Sequence, residues 1–123
     1  MGITHASEMK DGTLIVTAAG RDENAKEVID YGRAVIQLAR ESDAKSVLCD
    51  ERNLEYAIGT FDTHQAAAQI AALAPNVRVA IVCRPECLAD GKFWEDVAVN
   101  RGVEVRVDTD LARAKSWLRE GGD

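Results

Sequence analysis

The spacing of apolar residues changes several times along the chain, and each change marks a new element. "TLIVTAAG" alternates, with Leu14, Val16 and Ala18 on one face and Thr13, Ile15 and Thr17 on the other, as on a half-covered strand. Before it, "KDGT" sets Asp-Gly between two strand-like runs, which predicts a hairpin because Gly12 can take a positive φ at little cost. In "NAKEVIDYGRAVIQLARE" the period lengthens: Ala25, Val28, Ile29, Gly32, Val35, Ile36 and Ala39 fall on one stripe and predict a helix. Asn24 can cap its start, and Glu27 three residues on can complete a capping box. "SVLCD" reads as a short strand. "FDTHQAAAQIAALA" reads as a second helix, with Ala67, Ile70, Ala71 and Ala74 inward and Pro75-Asn76 closing it.

"VRVAIVC" is nearly all apolar and β-branched, the pattern of a strand covered on both faces. "DGKFWEDVAVNRG" predicts a third helix, with Phe93 and Val97 one turn apart and Gly102 as its C-terminal cap. "VEVRV" alternates strictly, Val103, Val105 and Val107 facing inward. "DLARAKSWLRE" predicts a fourth helix, with Leu111, Ala114 and Leu118 on one stripe behind a Thr109 or Asp108 cap. Helices between successive strands imply parallel neighbours joined by right-handed crossovers. The expected fold is α/β: a mixed, mostly parallel sheet opened by a β-hairpin, with alternating helices.

The 123 residues fit a single domain spanning 1–123, large enough to bury about two thirds of its unfolded surface without metal or disulfide staples. Net charge is −6, from 15 Lys+Arg against 21 Asp+Glu, and the basic residues are scattered. Nucleic-acid binding, which needs clustered cations, is therefore not expected. The N-terminus shows no signal pattern, and no apolar run approaches the ~20 residues of a membrane span. Three cysteines, an odd number, suit a reducing compartment, and the expected location is cytoplasmic.

Candidate chemistry is sparse. Cys83 and Cys87, in "CRPEC", follow one strand and Cys49 ends another, but zinc favours four ligands at tighter paired spacing. The three thiols read as small buried hydrophobes, and no metal or other cofactor is expected. His64 has no partner aligned in sequence for nucleophilic catalysis, and no glycine-rich phosphate loop or serine-elbow motif occurs. Phe93 and Trp94 are adjacent on a helix, so one must lean outward; Trp94 is taken as an interface candidate. The loop Glu51 to Gly59 carries Arg52 and Tyr56, and Arg84 follows the neighbouring strand. Parallel sheets bind ligands beyond the carboxyl ends of their strands, which makes Arg52, Tyr56 and Arg84 the candidate binding residues. The guanidiniums could recognise an acidic group while Tyr56 offers an amphipathic surface, unless Asp50 neutralises one arginine.

Receiver domains share the length and alternation, and "VLCD" sets Asp50 where their phospho-accepting aspartate lies. "TLIVTAAGRD" and "VEVRVDTD" lack the acidic pair and the lysine such a site needs. The chain more closely resembles the STAS domain, the fold of bacterial anti-sigma-factor antagonists, and the short bacterial proteins similar to them. The residues carrying the resemblance are the hairpin with "LIVTAAGR", the strand "SVLCD", and "VRVAIVCRPECLADGKFWEDVAVNRGVEVRVDTDLARAKSWLRE" with its final Ala114 and Trp117-Leu118. The resemblance implies a non-catalytic module that binds a protein partner, in signalling or transcriptional control, with homo-oligomers an open alternative. In phosphorylated antagonists the strand leads at once into an Asp-Ser-Ser-Gly-type turn; here "ERNLEYAIGTF" intervenes before Asp62-Thr63 and the turn has no serine. Thr60, Asp62 and Thr63 are expected to cap the helix, with no phosphorylation site. Two other readings are a small-ligand or lipid carrier, for which tight Ala-rich helices hardly leave room, and a thiol enzyme built on Cys49, Cys83 and Cys87.

Overall fold

A computed structural model describes residues 2–73 and 76–120, the side chains of Thr60 and Phe61 excepted. The elements are β1 (Ile3–Lys10), β2 (Thr13–Arg21), α1 (Ala25–Glu41), β3 (Ser46–Glu55), α2 (Thr60–Leu73), β4 (Arg78–Val82), a single 3-10 turn (Pro85–Cys87), α3 (Leu88–Val99), β5 (Val105–Asp108) and α4 (Leu111–Glu120). The five strands lie in the order β1-β2-β3-β4-β5. β1 pairs antiparallel with β2, and every later pair is parallel.

The hairpin turns on Asp11 and Gly12, with φ of 53° and 84°, the left-handed pair that matches the twist of the flanking strands. Beyond it the sheet always grows in one direction. Crossovers of one hand then set α1, α2 and α3 on the same face, where α1 packs on α2 and α2 on α3. Their core gathers Leu14, Val16, Val35, Ala39, Val47, Cys49, Ile81 and Val107. Among the described residues α4 alone covers the opposite face, burying Ala114 and Leu118 against Leu48, Ala80 and Val82.

The caps follow local chemistry. Asn24 Oδ1 accepts from Glu27 N at 2.9 Å, and Glu27 Oε1 accepts from Glu23 N at 2.9 Å, one residue outside the usual box. Gly102, at φ 87°, closes α3 while Val103 N donates to Ala98 O. The start of α4 differs from expectation: Asp110 caps it, its Oδ1 accepting from Arg113 N at 3.0 Å. Asp108 instead accepts from Thr109 N and Asp110 N, which fixes the turn before the helix. α2 also begins earlier than its expected caps. Thr63 N donates to Gly59 O, so Asp62 and Thr63 lie inside the first turn rather than ahead of it. The expected cap on Thr60 and the closure at Ala74 and Pro75 lie outside the described residues.

The largest departure concerns residues 51–59, expected as a loop. β3 runs on to Glu55, because β2 is nine residues long and continues to offer partners after β4 has ended. The register passes from Thr17 opposite Asp50 to Ala19 opposite Asn53. Two residues of β3, Glu51 and Arg52, thus stand against Ala18 alone, a β-bulge. Only Tyr56 to Gly59 connects to α2.

Gly91 lets α3 settle onto β5. A Cβ there would stand 2.6 Å from Val107 Cγ1, a stiff β-branched side chain that is itself 1% exposed. Overpacking costs ~1–3 kcal/mol, against ~1 kcal/mol gained from replacing glycine in a helix. Gly91→Ala should therefore lower the urea midpoint with an unchanged slope, a net loss of about 1 kcal/mol; a raised midpoint would show that β5 yields.

Candidate binding site

The carboxyl ends of β3, β4 and β5 form one edge. Asp50 is in register with Val82, and Val82 with Asp108, so the two aspartates flank β4 on the α4 side. Each holds an arginine. Arg52 Nε and Nη2 lie 2.8 and 2.7 Å from Asp50 Oδ1 and Oδ2. Arg113 Nη2 lies 2.8 Å from Asp108 Oδ1. The guanidiniums hold both carboxyls below the ordinary aspartate range, Asp108 to about 2. Arg84 follows β4 between them, and its buried Nε has no hydrogen-bond partner.

The three sequence candidates therefore do not form one cluster. Arg52 is taken by Asp50, the neutralisation anticipated from sequence, and Arg84 Nε has no hydrogen-bond partner among the described residues. Tyr56 lies on the other face, where its hydroxyl donates to Glu51 Oε1. Trp94 differs from expectation as well. It packs against the core, while Phe93 stands beside His64 with ring centroids 6.4 Å apart.

Between the sheet and α1, α2 and α3 lies a cavity of about 120 Å³. Its wall is mostly apolar, including Val35, Ile70, Ile81, Trp94, Val105 and Val107. The expectation that alanine-rich helices leave no room is corrected here. Ala71 and Ala98 face the space and add almost no side chain to fill it. One corner is polar. Glu51, 6% exposed, accepts from Tyr31 Oη at 2.9 Å on one oxygen and from Tyr56 on the other. Burial pushes its carboxyl up to about 6, although the two tyrosine donors pull it partly back. Asp22, at the end of β2, is also buried and raised by desolvation, against the donors Ala57 N and Ile58 N. Thr63 lines the same cavity.

The bulge creates this corner. Val47, Cys49 and Glu51 face the cavity side by strict alternation, and one extra residue then brings Leu54 and Tyr56 to that side too. Taking residues 51–59 as a loop gave Glu51 no face, and even a regular strand would set Glu51 and Tyr56, five residues apart, on opposite faces, which is why sequence reasoning missed Glu51. Tyr31 carried a signal, a polar tip within the apolar stripe of α1. The three cysteines are free and buried. Burial raises the Cys49 and Cys83 thiols, Cys83 to about 11. Among the described residues no group of His, Cys, Asp or Glu is placed to hold a metal ion, and no helix is long and apolar enough to cross a membrane.

No family model matches the chain, and no curated protein matches it. Among solved structures, it is similar to an anti-sigma factor antagonist from Mycobacterium paratuberculosis, with a TM-score of 0.67 and 15% identity over 96% of this chain and 95% of that one. It is also similar to an uncharacterized protein of the DUF3478 family with a SpoIIAA-like fold from Shewanella loihica PV-4, with a TM-score of 0.55 and 17% identity over 95% and 94% of the two chains. At such identities the likeness concerns the fold, and over nearly all its length this chain has the STAS-like α/β fold that its sequence resembles.

Proposed function

We propose that the chain is a non-catalytic STAS-like regulatory module that binds a protein partner at the carboxyl edge of its sheet. Arg84 carries this reading: a buried guanidinium nitrogen without an acceptor, set between two arginines already satisfied by aspartates. An unsatisfied buried donor costs about 1–3 kcal/mol, which Arg84 would recover by turning its guanidinium outward to meet an acidic side chain of a partner. Arg52, nearly half exposed beside it, can share such a group, while Tyr56 steadies the strand from behind through Glu51. The likeness to an anti-sigma factor antagonist supports a protein partner and a place in signalling or transcriptional control. Burial holds the Cys49 and Cys83 thiols protonated, which speaks against a thiolate nucleophile at either. Three free thiols fit a reducing cytoplasm.

The cavity favours a second reading, a module that holds a small ligand. Its buried acid is costly to the fold. The folded-state value of about 6 lies above the ordinary 4.5 of glutamate, so folding favours the protonated acid. Stability from Glu51 is therefore fully present below about pH 4.5 and is lost as pH rises through about 6, a loss of about 2 kcal/mol. Groups retained against stability are commonly functional.

Two measurements follow. A double Arg52→Ala, Arg84→Ala variant should stay folded, melting no lower than wild type because the unsatisfied Arg84 donor is removed, and bind the co-purified, identified partner at least tenfold more weakly; unchanged affinity in titration would sink the edge as the docking site. In urea unfolding, the advantage of Glu51→Gln over wild type should grow by about 2 kcal/mol between about pH 4 and pH 7.5. A pH-independent difference would mean that Glu51 is not desolvated.

A further inference from the structure

Among the described residues three carboxyl groups line the cavity, those of Glu51, Asp22 and Asp90, and no lysine, arginine or histidine does. Glu51 is ringed by neutral donors only. A carboxylate offers about four acceptor directions, and the hydroxyls of Tyr31 and Tyr56 occupy two. Asp22 receives both its backbone donors on Oδ1. The inner wall is apolar, with the rings of Tyr31, Tyr56 and Trp94 among its residues, and Asp90 stands exposed at the rim where α3 begins. Arg21 attracts Asp22 from outside the cavity, but among the described residues no cation lines the cavity beside Glu51.

We infer that the cavity is a binding site for a small primary ammonium compound with a compact apolar body, the ammonium set against Glu51 and Asp22 and the body among Val35, Ile81, Trp94 and Val107. The inference rests on the ligand-binding reading above and names the class of ligand. An anionic ligand would enter a space already lined with carboxyls. A neutral apolar one would leave the buried charge uncompensated. An ammonium supplies three donors and the missing charge, and aromatic faces suit it further. Size limits the body: a cavity of roughly 150 Å³ in another protein accepts benzene, and this one is about 120 Å³.

The groups that face Glu51 decide how binding depends on pH. They are Tyr31 from α1, Asp22 just past β2, Cys49 from its own strand, Tyr56 just past that strand and Cys83 just past β4; Asp50 acts from the other side of the sheet, Arg21 acts on Asp22, and Asp90 lies farther out on α3. Burial raises the Tyr31, Tyr56, Cys49 and Cys83 groups, which therefore stay neutral through pH 8. Glu51 loses its charge as pH falls through about 6, and the attraction for an ammonium goes with it.

The test is calorimetric titration of the full chain with benzylamine, benzyl alcohol and benzoate at pH 7.5 and pH 5. Benzylamine should bind at least tenfold more tightly than benzyl alcohol at pH 7.5, and benzoate should be rejected. The preference should fall several-fold at pH 5 and vanish in Glu51→Gln, which still takes benzyl alcohol. Ala71→Phe, filling the cavity from α2, should abolish binding of both and keeps the test valid if Glu51→Gln does not fold. Equal affinity for amine and alcohol would overturn the ammonium assignment and leave the ligand reading standing. Binding of neither would overturn both, and benzylamine still held by Ala71→Phe would put its site elsewhere.

Discussion

The parallel pairing of β3 with β2 beyond the end of β4 is the constraint on which the functional region depends. β4 contributes five residues and stops at Val82. β2 continues to Arg21, and β3 follows it to Glu55 through a bulge at Glu51 and Arg52. Without the bulge, Leu54 and Tyr56 would point to the α4 side, and the Glu51 carboxylate would lose one of its two hydroxyl donors. A buried carboxylate left short of donors costs more than the bulge's unpaired backbone. The irregularity is therefore a requirement of the polar corner.

The cavity has a related origin. A layer of three helices over a parallel sheet normally closes by interdigitating large side chains. Here α2 meets its neighbours through Ala66 and Ala67, both fully buried, and Gly32 of α1 lies against Ile70, where an added Cβ would stand 2.5 Å from Ile70 Cδ1. Small residues bring the backbones of α1 and α2 together. The space they do not fill remains farther in, between Ala71, Ala98 and the sheet.

Much of this fold was legible in the sequence. The hairpin at Asp11-Gly12, the stripe of α1 and the continuous apolar run of β4 each obey a local rule, and local rules survive in the folded chain. The mixed, mostly parallel sheet follows from their order. The candidate site was legible only in part, because it depends on register. Arg52 and Arg84 stand at the sheet edge, where any residue after an apolar strand would stand. The partnership of Glu51 with Tyr56 exists only because β2 and β3 differ by one residue across the bulge, which no property of "ERNLEY" alone encodes. The inward turn of Trp94 was equally hidden, since a Phe-Trp pair on a helix does not say which ring meets the core.

Magnitudes separate the two faces. The Arg52–Asp50 pair is partly exposed, and pairs of that kind contribute about 0–1 kcal/mol, so the most conspicuous charges are energetically quiet. The buried groups are not. Arg84 Nε lacks an acceptor, and Glu51 lacks a counter-cation, each at a cost of about 1–3 kcal/mol. A domain of this size is stable by only about 5–15 kcal/mol, so two such groups take a substantial share of the margin. They lie on opposite sides of one sheet edge, one requiring negative charge and the other positive. A group that satisfies Arg84 cannot satisfy Glu51, and so the proposed docking edge and the cavity are chemically separate candidate sites that share only the strand between them.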